Sequence, residues 1–185
     1  AMFAGIDPSD GQFFVAKKGL FNKTPLLYKK ESEIDITGDL GEKFKVALRE
    51  FSKLGIKNVI QGDLLYTTPL ESDIADHWTF QPNTIVYAVP KDSDVGKKIA
   101  KSKIGIVWHT TYTGDTLQEM TASFGMTQSL KIVPSVWHTD ASYKDVSGTA
   151  KMTSAETTKV TNDLSEAGKK FRKINSGKIK EWIPL

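Results

Sequence analysis

The sequence predicts an α+β fold in which mostly antiparallel sheets are flanked by helices. Segments of strand length, rich in apolar, β-branched and aromatic residues, outnumber the segments with helical periodicity. Near the start, Asp10 and Gly11 separate two apolar runs, which is a typical signature of a hairpin. Because hairpin-like segments alternate with single helices, antiparallel sheets are favoured over a doubly wound parallel sheet.

The first predicted element is a hairpin. Its strands are 2–6 and 13–15, and its turn is 7–11, where glycine accepts the positive φ of a tight turn. Pro82 lies inside a later predicted strand and argues for an edge position or a bend there, because proline cannot donate a ladder hydrogen bond. The later strands are expected at 58–66, 78–89, 104–108 and 133–143, with a final strand beginning at 175.

Helical periodicity marks three segments. The longest, 39–54, carries one apolar stripe and is followed by Gly55, a residue type that often ends helices. The other two are a helix from a cap at Asp92 or Ser93 to 101, and a helix from the capping-box pattern at 153–156 to 171.

The composition is that of an ordinary globular domain. The chain has 185 residues, of which 39% are hydrophobic and 25% charged, and it contains no repeat or long flexible linker. We therefore expect a single domain over 1–185. No apolar run is long enough to cross a membrane and no secretory leader is recognisable, so the sequence predicts a cytoplasmic protein with no membrane partner.

The residue types also restrict the possible metal sites. The chain has no cysteine, and its three histidines are scattered, which excludes thiolate sites and disfavours a zinc site. A bound metal is expected to be a hard ion held by oxygen ligands. The net charge of +3 is compatible with nucleotide or nucleic acid as a partner and does not require either.

The turn after the second strand contains a candidate phosphate site. Lys17 and Lys18 precede Gly19, so two ammonium groups and a closely approaching backbone lie together at a strand end. The alternative is a solvated strand end, which is the common setting of surface lysines.

Asp63 follows Gly62 within an otherwise apolar strand. A carboxylate at such a position must face water, a cation or donors such as ribose hydroxyls, because burying it without a partner is costly. The alternative is an aspartate on an edge or on the solvent face.

Aromatic and imidazole side chains give further candidates. Tyr87 is suited to stacking on a nucleobase, and the alternative is core packing. His109 and His138 each follow a tryptophan, but neither has an acid or a nucleophile nearby in the sequence. Both histidines are therefore interpreted as structural.

The order of these segments resembles the adenylation domain of ATP-dependent DNA and RNA ligases and of the related mRNA-capping nucleotidyltransferases, whose fold is ATP-grasp-like. In that superfamily a Lys-x-Asp-Gly motif precedes a strand, a turn, and a second strand ending in a basic-Gly turn. A helix, a strand with Gly-Glu-Leu and a strand with an adenine-stacking aromatic follow. Residues 1–6, 14–19 and 39–54 are similar to the first strand, the basic-Gly turn and the helix, and the resemblance extends to residue 110.

The resemblance implies roles for individual residues. Gly62-Asp63-Leu64 is similar to Gly-Glu-Leu, so Asp63 is the implied catalytic acid that holds ribose and helps place Mg²⁺. Lys17 is the implied basic residue that meets phosphate or the polynucleotide end, and Tyr87 is the implied adenine platform. ATP and Mg²⁺ are the implied cofactors, and nicked DNA or RNA is the implied partner. The implied nucleotide-binding residues are Lys17, Lys18, Gly19, Gly62, Asp63 and Tyr87.

The departures from the family pattern concern the reactive groups. The Lys-x-Asp-Gly motif, whose lysine forms lysyl-AMP, does not occur in the chain, and neither does the later Glu-Gly strand or Lys-x-Lys strand. We therefore expect a truncated adenylation domain of a phage-type ligase-like protein, inactive on its own. Two alternatives remain: a non-catalytic nucleic-acid-binding or virion-associated module with a similar sheet, and an unrelated α+β protein in which these residues are structural.

Overall fold

The computed structural model of the protein describes residues 1–68, 76–80, 87–125 and 128–140. Contacts group the described residues into two compact units, a first unit of 1–68 and 102–140 and a second unit of 76–80 and 87–101. In chain order, the helices and strands are β1 (Met2–Ile6), β2 (Phe13–Ala16), α1 (Gly38–Phe51), β3 (Val59–Thr67), β4 (His77–Phe80), β5 (Tyr87–Pro90), α2 (Asp94–Lys101), β6 (Ile104–Thr113), β7 (Thr121–Phe124) and β8 (Val136–Asp140). The predicted α+β class is confirmed, and the single domain over 1–185 stays a prediction.

The first unit is built on one sheet. Its strands follow the order β2-β1-β3-β6, and every pair in this row is antiparallel. The other side of β6 is shared, because its first half pairs in parallel with β8 and its second half pairs antiparallel with β7. The long strands β3 and β6 therefore form the centre of the sheet.

Helix α1 covers one face of this sheet. Its residues Phe44 and Phe51 are buried against Ile60 of β3 and Trp108 of β6. The rings of Phe51 and Trp108 meet edge to face, with centroids 5.2 Å apart. Each such side chain contributes roughly 1.5–3 kcal/mol when fully buried. On the opposite face a second apolar cluster contains Phe3, Phe14, Ala16, Leu20, Val59 and Leu117.

The predicted helices in the described residues are confirmed. The stripe at 39–54 forms α1, followed by a 3-10 turn at Ser52–Leu54 and by Gly55 in the left-handed conformation, with φ of 70°. Ser93 caps α2, because its Oγ accepts a hydrogen bond from the backbone N–H of Gly96 at 3.0 Å. The apolar face and the capping residue were both readable from the sequence.

Two predicted strands are wrong in extent. The single strand expected at 78–89 is instead a pair, because β4 and β5 run antiparallel with Phe80 opposite Tyr87. The strand expected at 104–108 continues to Thr113, since its threonines pair with both β3 and β7. Threonine is favoured in strands, which fits the extension of the strand through Thr110, Thr111 and Thr113.

Other predictions fall partly or wholly outside the described residues. Strand β8 lies within the predicted 133–143, of which 141–143 are not described. Pro82, the helix at 153–171 and the strand from 175 are also outside the described residues. In the described part of the chain, neither helix has the length and apolar character needed to cross a bilayer.

The predicted hairpin of β1 and β2 is confirmed, and Asp7 holds its turn. The Asp7 carboxylate accepts hydrogen bonds from the backbone N–H and the hydroxyl of Ser9, at 2.9 and 2.8 Å. It also pairs with Lys29 Nζ at 2.8 Å. Burial raises the pKa of Asp7, but the hydrogen bonds from Lys29 and Ser9 outweigh it, so the net pKa is lowered.

We expect Asp7→Asn to lower the free energy of unfolding at neutral pH by about 1–3 kcal/mol, because the charge that accepts from Lys29 and Ser9 is lost. The folded carboxyl has the lower pKa, so the wild-type advantage is complete above the unfolded pKa of about 3.9. It disappears as the pH falls through the folded value. Urea unfolding from neutral to acid pH measures this, with Asp39→Asn at the exposed start of α1 as control. A loss that does not depend on pH would contradict the assignment.

Candidate functional site around the β6 bulge

A β-bulge interrupts the pairing of β3 with β6. Gln61 lies opposite Thr110, whereas the next residue, Gly62, lies opposite Trp108. His109 is therefore the extra residue of β6. Bulges of this kind redirect neighbouring side chains and are common beside active sites.

Five polar side chains surround the bulge on the face opposite α1. Gly62 and Leu64 contact the α1 side of the sheet, so the alternation of β3 directs Asp63, which lies between them, to the other face. Tyr112 lies on that face too, packed against the ring of Phe3. We call this set the polar cluster; its members are Gln61, Asp63, His109, Thr110 and Tyr112.

The members of the polar cluster contact one another. His109 Nε2 lies 3.6 Å from Asp63 Oδ1. On the other side of the ring, His109 Nδ1 lies 2.7 Å from Thr110 Oγ1. The Tyr112 hydroxyl donates to Gln61 Oε1 at 2.7 Å. The cluster therefore contains an acid-imidazole-hydroxyl row beside a tyrosine-glutamine pair.

The members of the polar cluster are partly or fully removed from water, so their polar groups depend on one another as partners. Asp63 and Thr110 are each 8% exposed, and burial raises the pKa of Tyr112. A carboxylate removed from water is costly unless polar groups or cations surround it. Chemically, the Asp63 carboxylate is suited to accept hydroxyl donors or bind a hard cation, and the His109 ring is suited to donate or accept a proton.

Asp63 is compatible with Mg²⁺ only in a shared site. Across the residues that the structure describes, no group of three or more acidic or histidine side chains is arranged to hold a metal. Mg²⁺ in nucleotide enzymes is commonly bound by one or two carboxylates together with substrate phosphates. One buried carboxylate suits that mode, with the nucleotide supplying the remaining oxygens.

The predicted phosphate residues follow β2. Lys17 and Lys18 are both exposed, and Gly19 has φ of 111°, a conformation that favours glycine. Phe3 of β1 lies opposite both Ala16 of β2 and Gln61 of β3. The lysines, at the end of β2, and Asp63, in the middle of β3, therefore lie at nearly the same level, with the start of β1 between them.

The predicted adenine platform belongs to the second unit. Tyr87 begins β5, and its side chain lies outside the described residues. Its stacking role stays a prediction, as does the convergence of Tyr87 with Lys17 and Asp63.

The two histidines that were interpreted as structural have different surroundings. Burial lowers the pKa of His138 in β8, and a hydrogen bond with the Lys131 backbone raises it in part. His109 lies beside Asp63, an acid that no local sequence pattern connects to it. The one available signal was the polar run that continues from the apolar residues of β6, beginning at His109.

A cleft of about 520 Å³ lies elsewhere in the first unit and contains none of the predicted site residues. The turn of the first hairpin and the loop after β6 form part of its lining, through Asp7 and Asp115. Its lining lacks the acid-imidazole-hydroxyl row, so the polar cluster is the better candidate for chemistry.

Comparison with known proteins assigns the chain to a family. Residues 1–181 match a family of unknown function, DUF6267. The chain belongs to this family. No curated protein and no solved structure shows significant similarity to the chain. The match to DUF6267 includes every member of the polar cluster, and the family description assigns no activity to it.

Gly62 has a packing role in the sheet, and its predicted nucleotide-binding role stays a prediction. A Cβ atom at Gly62 would lie 2.6 Å from the carbonyl oxygen of Val107 and 2.8 Å from the ring of Trp108. Glycine therefore permits the close approach of β3 to β6 beside the bulge.

We expect Gly62→Ala to lower the free energy of unfolding by about 1–3 kcal/mol, because the backbone of β6 must move to admit the methyl group. Urea denaturation monitored by circular dichroism measures the change, and Thr121→Ala on the exposed strand β7 serves as control. An unchanged midpoint for Gly62→Ala would show that the sheet accepts a side chain there. If Gly62→Ala also binds nucleotide less well, the displaced strands β3 and β6 are a sufficient cause, because glycine has no side chain with which to contact the nucleotide.

Proposed function

We propose that this chain is part of the nucleotide-binding domain of an ATP-dependent ligase-type nucleotidyltransferase, of the kind that joins DNA or RNA ends. The observation that supports this most is the pairing of β1 with both β2 and β3. This pairing brings the start of β1 and the end of β2 to nearly the same level as Asp63 in the middle of β3.

The strand register sets the distance between the Lys17 and Asp63 backbones. Met2 lies opposite Gly62, so the start of β1 reaches the level of Asp63. Lys17 follows β2 at the same end. Neighbouring strands are about 4.8 Å apart, which separates the Lys17 and Asp63 backbones by about 10 Å. That span is comparable with the length of a nucleotide.

In ligases a Lys-x-Asp-Gly motif precedes the strand that β1 resembles, and this chain does not contain that motif. A lysine directly before such a strand would lie beside Asp63, because β1 runs antiparallel to β3 and Met2 lies opposite Gly62. In the proposed reaction this lysine attacks the α-phosphate of ATP, pyrophosphate leaves, and lysyl-AMP results. The strand order therefore supports a nucleotide position beside the start of β1.

In this proposal Asp63 accepts hydrogen bonds from the ribose hydroxyls and helps hold Mg²⁺. Bound Mg²⁺ would neutralise negative charge on the phosphates. Lys17 and Lys18 meet phosphate or the polynucleotide end, since ammonium groups form strong charge-assisted hydrogen bonds with phosphate. Tyr87 belongs to the second unit, and its adenine-stacking role is only what the ligase resemblance implies.

We expect this chain to bind ATP weakly in the presence of Mg²⁺, and Asp63→Asn to raise Kd about 10-fold, since a hydrogen bond to a charged group contributes roughly 1.5–3 kcal/mol. Titration calorimetry measures both. Asp39→Asn removes the same charge from an exposed helix start and is expected to bind like the wild type. An equal loss of ATP affinity in Asp63→Asn and Asp39→Asn, or no ATP binding by the wild type, would count against the proposed site.

We also expect no self-adenylylation of this chain, because it lacks the Lys-x-Asp-Gly motif. Incubation with ATP labelled on the α-phosphate, followed by denaturing electrophoresis, tests this. A stable label on a lysine of this chain would overturn the assignment of the nucleophile to a preceding motif. Salt-dependent binding to nicked or single-stranded DNA, unaffected by nucleotide, would instead favour a nucleic-acid-binding module.

A further inference from the structure

The bulge in β6 brings to the candidate nucleotide site a residue that the ligase resemblance does not supply. In a regular strand Thr110 would point to the α1 side, as Trp108 does. The extra residue, His109, changes the phase of the alternation, so Thr110 lies opposite Gln61 and beside the His109 ring. His109 and Thr110 therefore both join Asp63 on the face opposite α1.

The row of Thr110, His109 and Asp63 has a defined hydrogen-bonding direction. An ionised carboxylate only accepts, so the row fits a neutral imidazole whose Nε2 carries the proton that faces Asp63. In the neutral ring Nδ1 then accepts, and the Thr110 hydroxyl donates to it across 2.7 Å. The Nε2–H tautomer of His109 is therefore the one that fits both neighbours.

The contact between His109 and Asp63 is close but incomplete. At 3.6 Å it lies within ion-pair distance and is longer than an ordinary N–H···O hydrogen bond. Contacts of functional groups are often long without ligand and shorten when substrate binds.

We propose that His109 is the positioning residue of Asp63: held by Thr110, it fixes the orientation in which the carboxylate meets the ribose hydroxyls of the nucleotide. This inference rests on the proposed nucleotide-binding function. Asp63 is the residue that contacts the ligand, and His109 acts through it.

Two substitutions of His109, by glutamine and by asparagine, test whether an N–H at the position of Nε2 is needed, since both side chains are polar and uncharged. Glutamine places an amide N–H near the position of Nε2, whereas the shorter asparagine reaches only the position of Nδ1. Neither titrates. We expect the wild-type chain to bind ATP more tightly than 2′-deoxy-ATP, and His109→Asn to lose this preference with a Kd for ATP about 10-fold higher, as expected for Asp63→Asn. His109→Gln is expected to retain the preference.

The outcomes distinguish this inference from the proposed function. If Asp63→Asn loses the ribose preference and His109→Asn keeps it, the role of His109 is wrong and the nucleotide site stands. If the wild type binds neither nucleotide, both are wrong. Thermal unfolding checks that the variants fold. Should His109→Asn not fold, ¹⁵N spectra of the wild-type imidazole decide: the Nε2–H tautomer supports the inference, and the Nδ1–H tautomer overturns it.

Discussion

Strands β3 and β6 pair along nearly their whole length, and both the core and the candidate site depend on this pairing. One face of the pair supplies Ile60 and Trp108 to the core beneath α1. The other face carries the polar cluster. A shift in register by one residue would exchange these faces and place Asp63 in the apolar core.

Two irregularities at the centre of the β3–β6 pair affect both the packing of the sheet and the candidate site. Gly62 removes a side chain where β6 approaches closely, and His109 adds a residue to β6 at the same level. Together they allow a carboxylate, an imidazole and a hydroxyl to lie at the middle of a sheet whose surroundings are apolar. Departures from regular local structure of this kind are expected at functional sites, and the well-packed α1 face compensates for their cost.

Much of the fold was predictable because its signals are local. The apolar stripe of α1, the capping hydroxyl of Ser93 and the glycine at the end of the first turn each act within a few residues. The pair β4 and β5 was predicted as one strand because both halves have the same strand-forming composition. Pro82 indicated an edge position or a bend, and the pairing of Phe80 with Tyr87 shows that the chain reverses. The extension of β6 was missed because threonine suits both loops and strands.

The candidate site was only half predictable for a related reason. Asp63 was identifiable, since a carboxylate in an apolar strand requires an explanation of its own. His109 was not, because its contact with Asp63 depends on which strands are neighbours and on a bulge that no sequence pattern marks. The common level of Lys17 and Asp63 likewise follows from register, which is a property of paired strands.

The central claim is that the polar cluster and the adjacent strand ends form a nucleotide site. The most direct measurement is the change in backbone amide NMR signals of this chain on addition of AMP. Our account predicts shifts concentrated at the residues flanking Asp63 and His109 and at the turn after β2. Shifts confined to the cleft lined by Asp7 and Asp115, or no shifts at millimolar AMP, would contradict it.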